Sequence, residues 1–206
     1  MAMNSEKGLL IVISGPSASG KGTVNAYVLA DERFQYSVSA TTRAPREGEV
    51  DGKNYHFITR EAFELLIEED GVLEHTSYCG NYYGTLRSFV EDTRNAGKHV
   101  VLEIEVDGAM QIREKYPDAV LIMLLPPSFK EQERRLRTRG TETEEVIEKR
   151  LDQTRREVPF ADRYDYVVYN ETGKAEEAAQ SILAIARAEQ CAIRRNPDVA
   201  KKYFAD

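Results

Sequence analysis

Residues 9–14 (LLIVIS) form an apolar run that leads directly into Gly15-Pro16-Ser17-Ala18-Ser19-Gly20-Lys21-Gly22-Thr23. A buried strand, a glycine-rich turn and then a lysine at a helix start is the context of a phosphate-binding loop. The glycines let the backbone wrap closely around phosphate oxygens. The N–H groups of the turn point inward, where the helix dipole favours negative charge. Lys21 adds a mobile cation for the terminal phosphates. A lysine with no ligand would oppose the dipole at that place. One feature departs from the usual pattern. The hydroxyl residue that normally follows the lysine and touches Mg²⁺ is replaced by Gly22, with Thr23 next. The metal is therefore expected through water or on Thr23.

Two further runs, 99–104 (HVVLEI) and 119–125 (AVLIMLL), repeat the signature of a strand buried on both faces, and 166–169 (YVVY) is a shorter fourth. Helical patterns separate them, at about 21–30, 87–96, 108–115, 128–138, 143–157 and 174–190. Strands alternating with helices argue for an α/β fold, a parallel sheet covered on both faces. Residues 35–85 break the alternation. They read as short strands (YSVSATT, NYHFIT, VLEHTSY) around one helix at 60–69, an inserted and mostly antiparallel lobe. Residues 134–158 are almost wholly charged, with few core positions, which suggests a helical lid. The expected organisation is a single domain over 1–206. Its core is 8–36 and 86–190, its lobe about 37–85 and its lid about 130–158.

A phosphate loop alone specifies only a nucleoside triphosphate; the acceptor must be read elsewhere. Arg43 and Arg46 flank a proline, and two guanidinium forks on a stiffened turn can chelate one phosphate. Tyr55 offers a hydroxyl to the same group. Glu74 lies in a segment rich in strand formers, where an inward carboxylate is costly unless paired. Guanine presents two donors, N1–H and N2–H₂, which a carboxylate accepts. Adenine presents an acceptor at N1 and would be repelled. Ser39 and Thr85 are candidate hydroxyl partners for guanine O6.

The net charge of -7 argues against a nucleic-acid binder, so cations for an anionic ligand must be gathered locally. Cys79 and Cys191 stand far apart, without metal or redox spacing, and read as reduced thiols. No window approaches the ~18 apolar residues of a membrane span. The opening MAMNSEKG lacks the apolar stretch of a secretory signal, so a cytoplasmic location is expected. Monomer and homodimer are both left open.

The motifs GPSASGKGT, SVSATTRAPREGEVDGKNYHF, GNYYGT, LEIEVDGA, LLPPS and RLRTRGTETEE occur in one order over about residues 8–190. In that order and spacing the chain resembles the guanylate kinase family, bacterial type. The resemblance implies a P-loop three-layer fold with a GMP-binding lobe and a lid, and transfer of a phosphoryl group from MgATP to GMP. It implies that the loop from Gly15 to Gly22 holds ATP phosphates and that Asn170 contacts adenine. It implies that Arg43, Arg46, Tyr55 and Tyr83 hold the GMP phosphate and that Ser39, Glu74 and Thr85 read guanine. Glu103 falls at an acidic position near GMP and metal. Glu105 falls at a second one, more often aspartate, and with Thr23 is the expected Mg²⁺ contact. Arg135, Arg139 and Arg150 match the lid arginines that close on the transferring phosphate, with Lys21 and Arg43 completing the catalytic set. Ala18 stands where glycine is commoner.

Arg134 and Arg137 read as a solvated helix face, and Thr141 with Glu144 reads as a capping box for the next helix. Three other readings compete. A scaffold-type interaction module of the same fold usually lacks an intact phosphate loop. A kinase for another nucleotide or a ribosyl phosphate does not account for Glu74 with Ser39 and Thr85. A GTPase is disfavoured by the lack of an N-K-x-D motif.

Overall fold

The computed structural model describes residues 7–140 and 142–205. In chain order the first elements are β1 (Leu10–Ser14), α1 (Lys21–Val28), β2 (Phe34–Tyr36), β3 (Ala40–Thr41), β4 (His56–Phe57) and α2 (Arg60–Glu68). Next come β5 (Val72–Tyr78), β6 (Asn81–Leu86), α3 (Arg87–Asn95), β7 (His99–Glu103), α4 (Val106–Lys115) and β8 (Val120–Leu125). The chain continues through α5 (Phe129–Arg139), α6 (Glu144–Glu157), β9 (Tyr166–Tyr169), α7 (Ala175–Cys191) and α8 (Val199–Tyr203).

Five strands form a wholly parallel sheet in the order β2-β7-β1-β8-β9. The period of two sends alternate residues of β1 to opposite faces. Ile11 and Ile13 join Ile122, Leu124 and Val168 against α1 and α7, which supply Val24, Val28, Ala179 and Ile182. Leu10 and Val12 join Val100, Leu102 and Leu121 against α3 and α4, through Val90, Ala109 and Ile112. Burying both faces is why these strands are unbroken apolar runs. The fold is α/β, with helices on each side of a central parallel sheet, as expected.

The 36–42 run is not one strand. Its start belongs to β2, on the edge of the main sheet. The backbone N–H of Ser37 still donates to the Val101 carbonyl at 3.0 Å, and only then does the chain turn away. Ala40 and Thr41 enter a second sheet of order β4-β3-β6-β5. That sheet is mixed: β3 pairs β4 in parallel and β6 antiparallel, and β5 with β6 is an antiparallel hairpin. Cys79 and Gly80, both at positive φ, form its two-residue turn, the backbone geometry that such tight hairpins favour. Phe63 of α2 is fully buried against the back of this sheet with Ala40 and Val72.

The charged helices α5 and α6 carry more core than their sequence suggests. Leu136, Ile147 and Leu151 are buried together with Ala18 of the glycine-rich turn. Ser128 caps α5, its Oγ accepting from the Glu131 N–H at 3.1 Å. The N-cap of α6 is Thr143 rather than the expected box from Thr141, which lies outside the described residues. Beyond Cys191, where a polar tail is expected, the chain forms a short turn of 3₁₀ helix and α8.

Candidate active site

The glycine-rich turn leaves β1 beside β8, and its shape demands glycine at two places. Gly15 has φ +153, and a Cβ there would lie 2.1 Å from the Leu124 carbonyl oxygen. Gly20 has φ +89, and a Cβ there would lie 2.3 Å from Asn170 Nδ2. Ala18 also takes a left-handed φ, +62, which costs a non-glycine residue roughly 1–2 kcal/mol. Burial of its methyl group under Leu136, Ile147 and Leu151 offsets roughly 0.8 kcal/mol of that. Lys21 opens α1 and curls back over the turn, its Nζ donating to the Gly15 carbonyl at 2.6 Å. Ser19 Oγ is buried with no hydrogen-bond partner among the described residues. A buried hydroxyl of that kind is a polar group that a bound ligand or water can satisfy.

Helices α5 and α6 pack on the same turn. Gln132 Nε2 donates to the Ser17 carbonyl at 3.0 Å and to Thr154 Oγ1 at 2.7 Å, so one amide joins the turn, α5 and α6. Arg150 donates to Ser17 Oγ at 2.8 Å and pairs with Glu142. Arg135 donates to the Asn170 carbonyl at 2.8 Å and reaches the Ala18 and Ser19 carbonyls at 3.4 and 3.5 Å. Glu131 fixes Arg135 from below at 2.9 Å and also accepts from the Thr172 hydroxyl. Those partners hold the Glu131 carboxyl well below the usual range, Arg134 contributing most. Arg139, by contrast, makes no hydrogen bond or ion pair among the described residues, and it lines a cavity of about 560 Å³. Gly20, Thr23, Tyr27, Asn170 and Gly173 share that lining. Asn170 spends its side chain on the turn, donating to the Ser19 carbonyl at 2.8 Å. Arg137 bridges Glu133 and Glu148 on the outer surface and also pairs with Glu144, the solvated role expected of it.

The two arginines expected to form a second anion site lie on the other sheet. Arg43 follows β3 and is gripped by both oxygens of Glu49, each at 2.9 Å. The same carboxylate accepts from the Arg46 backbone N–H at 2.7 Å, and Arg43 and Arg46 together hold Glu49 below its usual pKa, Arg43 most strongly. Arg43 lies over the Tyr55 ring, 5.4 Å from its centroid, and Tyr55 meets Tyr83 edge-on at 5.8 Å. The Arg46 guanidinium makes no hydrogen bond among the described residues. Glu49 was not singled out from the sequence. Its signal was an acid six residues past one arginine and three past the other, which becomes a contact only when the turn folds back.

Glu74 is aimed by a strand irregularity. Val72 pairs with Leu86 but His75 pairs with Gly84, so two residues, Leu73 and Glu74, stand opposite one, Thr85. A bulge of this kind re-aims side chains. Leu73 goes into the core, and Glu74 Oε1 accepts from Thr85 Oγ1 at 2.7 Å. The carboxylate is 4% exposed and forms no ion pair among the described residues. Burial pushes its pKa up. Gly108 leaves room for it, since a Cβ there would stand 2.8 Å from Glu74 Oε2. Ser39 lies between β2 and β3, and only its backbone is engaged, accepting from the His56 N–H at 2.9 Å.

A run of neighbours joins the two sites along the carboxyl edge of the parallel sheet, where open α/β sheets bind ligands. Asn25 of α1 donates to Glu103 Oε2 at 2.6 Å. Glu103 ends β7 and, with Tyr55, helps push the Tyr36 hydroxyl up to about 12, burial being the larger cause. Tyr55 in turn touches Arg43. Thr23 and exposed Glu105 offer the hard oxygens that Mg²⁺ takes. Among the described residues no three acidic, imidazole or thiol groups gather into a metal cage. Mg²⁺ needs none, because it keeps several waters and binds through one or two protein oxygens plus substrate phosphates.

A family model described as guanylate kinase matches residues 7–188. The chain belongs to the guanylate kinase family. A curated guanylate kinase of Halalkalibacterium halodurans is 53% identical over 190 residues, 92% of each chain. One from Bacillus cereus is 51% identical over 203 residues, 98% of this chain and 97% of the relative. The crystal structure of guanylate kinase from Anaplasma phagocytophilum superposes with a TM-score of 0.75 at 34% identity, covering 96% of this chain and 94% of that one. Family membership accounts for the fold.

Proposed function

We propose that this protein transfers the γ-phosphoryl group of MgATP to GMP, giving ADP and GDP. The single observation that carries the choice of acceptor is Glu74: a buried carboxylate, aimed by a bulge, held by one threonine and paired with no cation. A guanine edge supplies the two donors it lacks, and an adenine edge does not. Sites that hydrogen-bond a substrate group reject analogues without it by ~10⁴ or more.

In this reading the second sheet, about 37–85, is the GMP lobe and 130–158 is the lid. Arg46, Tyr55 and Tyr83 receive the GMP phosphate, with Arg43 oriented by Glu49. Ser39 and Thr85 complete the guanine pocket. ATP lies with its phosphates in the turn from Gly15 to Thr23 and its base in the cavity lined by Asn170 and Arg139. Phosphoryl transfer asks the protein for position and charge neutralisation more than for covalent chemistry. The GMP phosphate oxygen attacks the γ-phosphorus in line. Lys21 leaves the Gly15 carbonyl for the phosphates, and Arg139 and Arg150 close over the equatorial oxygens while Arg135 holds the turn. Thr23 and Glu105 would hold Mg²⁺ directly or through water, and the ion, when bound, neutralises phosphate charge. Lid closure excludes water, which would otherwise take the phosphoryl group.

A cytoplasmic location fits two free, exposed thiols, and no helix among the described residues is long and apolar enough to cross a membrane. The test is ADP release coupled to a reporter enzyme, with GMP, AMP, CMP and UMP as acceptors. Turnover is expected with GMP and at least ~10³-fold lower kcat/KM with the others. Equal use of AMP would reject the acceptor assignment.

A further inference from the structure

Asn25 lies one helical turn beyond Lys21 on α1 and is 3% exposed. Its Nδ2 donates to Glu103 Oε2 at 2.6 Å, across 78 residues of sequence. Its Oδ1 is buried and has no hydrogen-bond partner among the described residues. Turning the amide over would point oxygen at carboxylate, acceptor against acceptor, so Glu103 alone fixes the orientation. The protein thus keeps an unsatisfied buried carbonyl, which costs stability. Leucine, of nearly the same size, would pack there without that cost. Packing therefore gives no account of an asparagine at this place, and the bond to Glu103 does.

Glu103 ends β7, which lies between β1 and β2, the strand after which the chain crosses to the second sheet. Its strand pairs with β1 through Ile13, next to the start of the phosphate turn. Its charge also reaches the Tyr36 hydroxyl on the edge strand beside the acceptor lobe. We propose that Asn25 is a positioning residue for the acceptor nucleotide: its amide holds the Glu103 carboxylate toward the acceptor side and ties it to the helix that grips the donor phosphates. This rests on the GMP-phosphorylation reading and adds to it a residue that contacts neither nucleotide's phosphates.

The test is steady-state kinetics and thermal unfolding of the full chain, wild type against Asn25→Leu, Asn25→Asp and the exchanged pair Asn25→Asp with Glu103→Gln. Asn25→Leu removes the unsatisfied carbonyl and the bond to Glu103 together, two terms of similar size and opposite sign, so its thermal midpoint should stay close to that of wild type. It should raise KM for GMP about tenfold, as loss of a hydrogen bond to a charged group would, with KM for ATP within about twofold. Asn25→Asp sets two carboxylates together and should raise KM for GMP further. The exchanged pair restores one donor facing one acceptor, with the roles reversed, and should bring that KM back below the Asn25→Asp value. Wild-type KM values in Asn25→Leu with a lowered midpoint would make Asn25 a packing residue and overturn the inference. An exchanged pair no better than Asn25→Asp would overturn it as well. Wild-type protein that forms no GDP would reject the underlying reading instead, which keeps the two failures distinct.

Discussion

Burial raises the proton affinity of Glu74, and the sign of that shift has consequences for stability. An acid whose pKa is higher folded than unfolded binds its proton more tightly in the folded state. The ionised carboxylate then lowers stability above its folded pKa, and the penalty disappears as pH falls below the unfolded value of 4.5. Glu74→Gln keeps the shape and removes the charge. Its thermal midpoint should exceed that of wild type at about pH 7 and match it near pH 4, by calorimetry at both. The same change places a donor where guanine needs an acceptor, so the preference of kcat/KM for GMP over AMP should fall by ~10²-fold. A stability gain equal at both pH values would deny that the charge is its source. Glu74 was legible in the sequence because a carboxylate within a strand pattern is conspicuous. Glu49 and Asn25 were not. An acid near arginines in a turn reads as solvated, and a helical amide gives no hint of a partner 78 residues away.

Among elements, the buried strands were the most legible, since only a strand covered on both faces reads as an unbroken apolar run. The short ones were not. β2 and β3 share one β-prone segment, and nothing local announces that the chain changes sheets after Ser37. Residues 81–86 (NYYGTL) form β6 although they carry a glycine, because the hairpin turn at Cys79–Gly80 pairs them with β5. Helices α5 and α6 hid their core for a different reason. Three apolar residues in a charged stretch look incidental until Ala18 lies under them. α1 offers a test at this scale. Gly22 lies in its first turn, and nothing lies within 4 Å of where a Cβ would stand. Gly22→Ala should therefore stabilise the unliganded protein by about 0.5–1 kcal/mol, seen as a higher urea midpoint at unchanged slope. Destabilisation would mean that the backbone there requires glycine, contrary to the open space observed.

The whole molecule is an acidic chain, net -7, with two local groups of cations. Arg135 and Arg150 hydrogen-bond the glycine-rich turn over which Lys21 curls, and Arg139 lines the cavity beside it, while Arg43 and Arg46 lie in the turn after β3 of the second sheet. Asn25, Glu103, Tyr36 and Tyr55 run between them. That arrangement was legible as two anion sites sharing one cleft, but the residues that lie between them were not, because those depend on which strands lie side by side. Two anions brought together in one cleft is the condition for direct phosphoryl transfer. A bisubstrate ligand, adenosine and guanosine joined 5′ to 5′ through five phosphates, measures that adjacency directly by isothermal titration. Linking the two makes the second contact intramolecular, so its Kd should lie at least ~10²-fold below that of ATP or GMP alone, at a stoichiometry of one per chain. Affinity no better than that of ATP, or two such ligands bound per chain, would show that the pockets do not share a cleft and would contradict direct transfer.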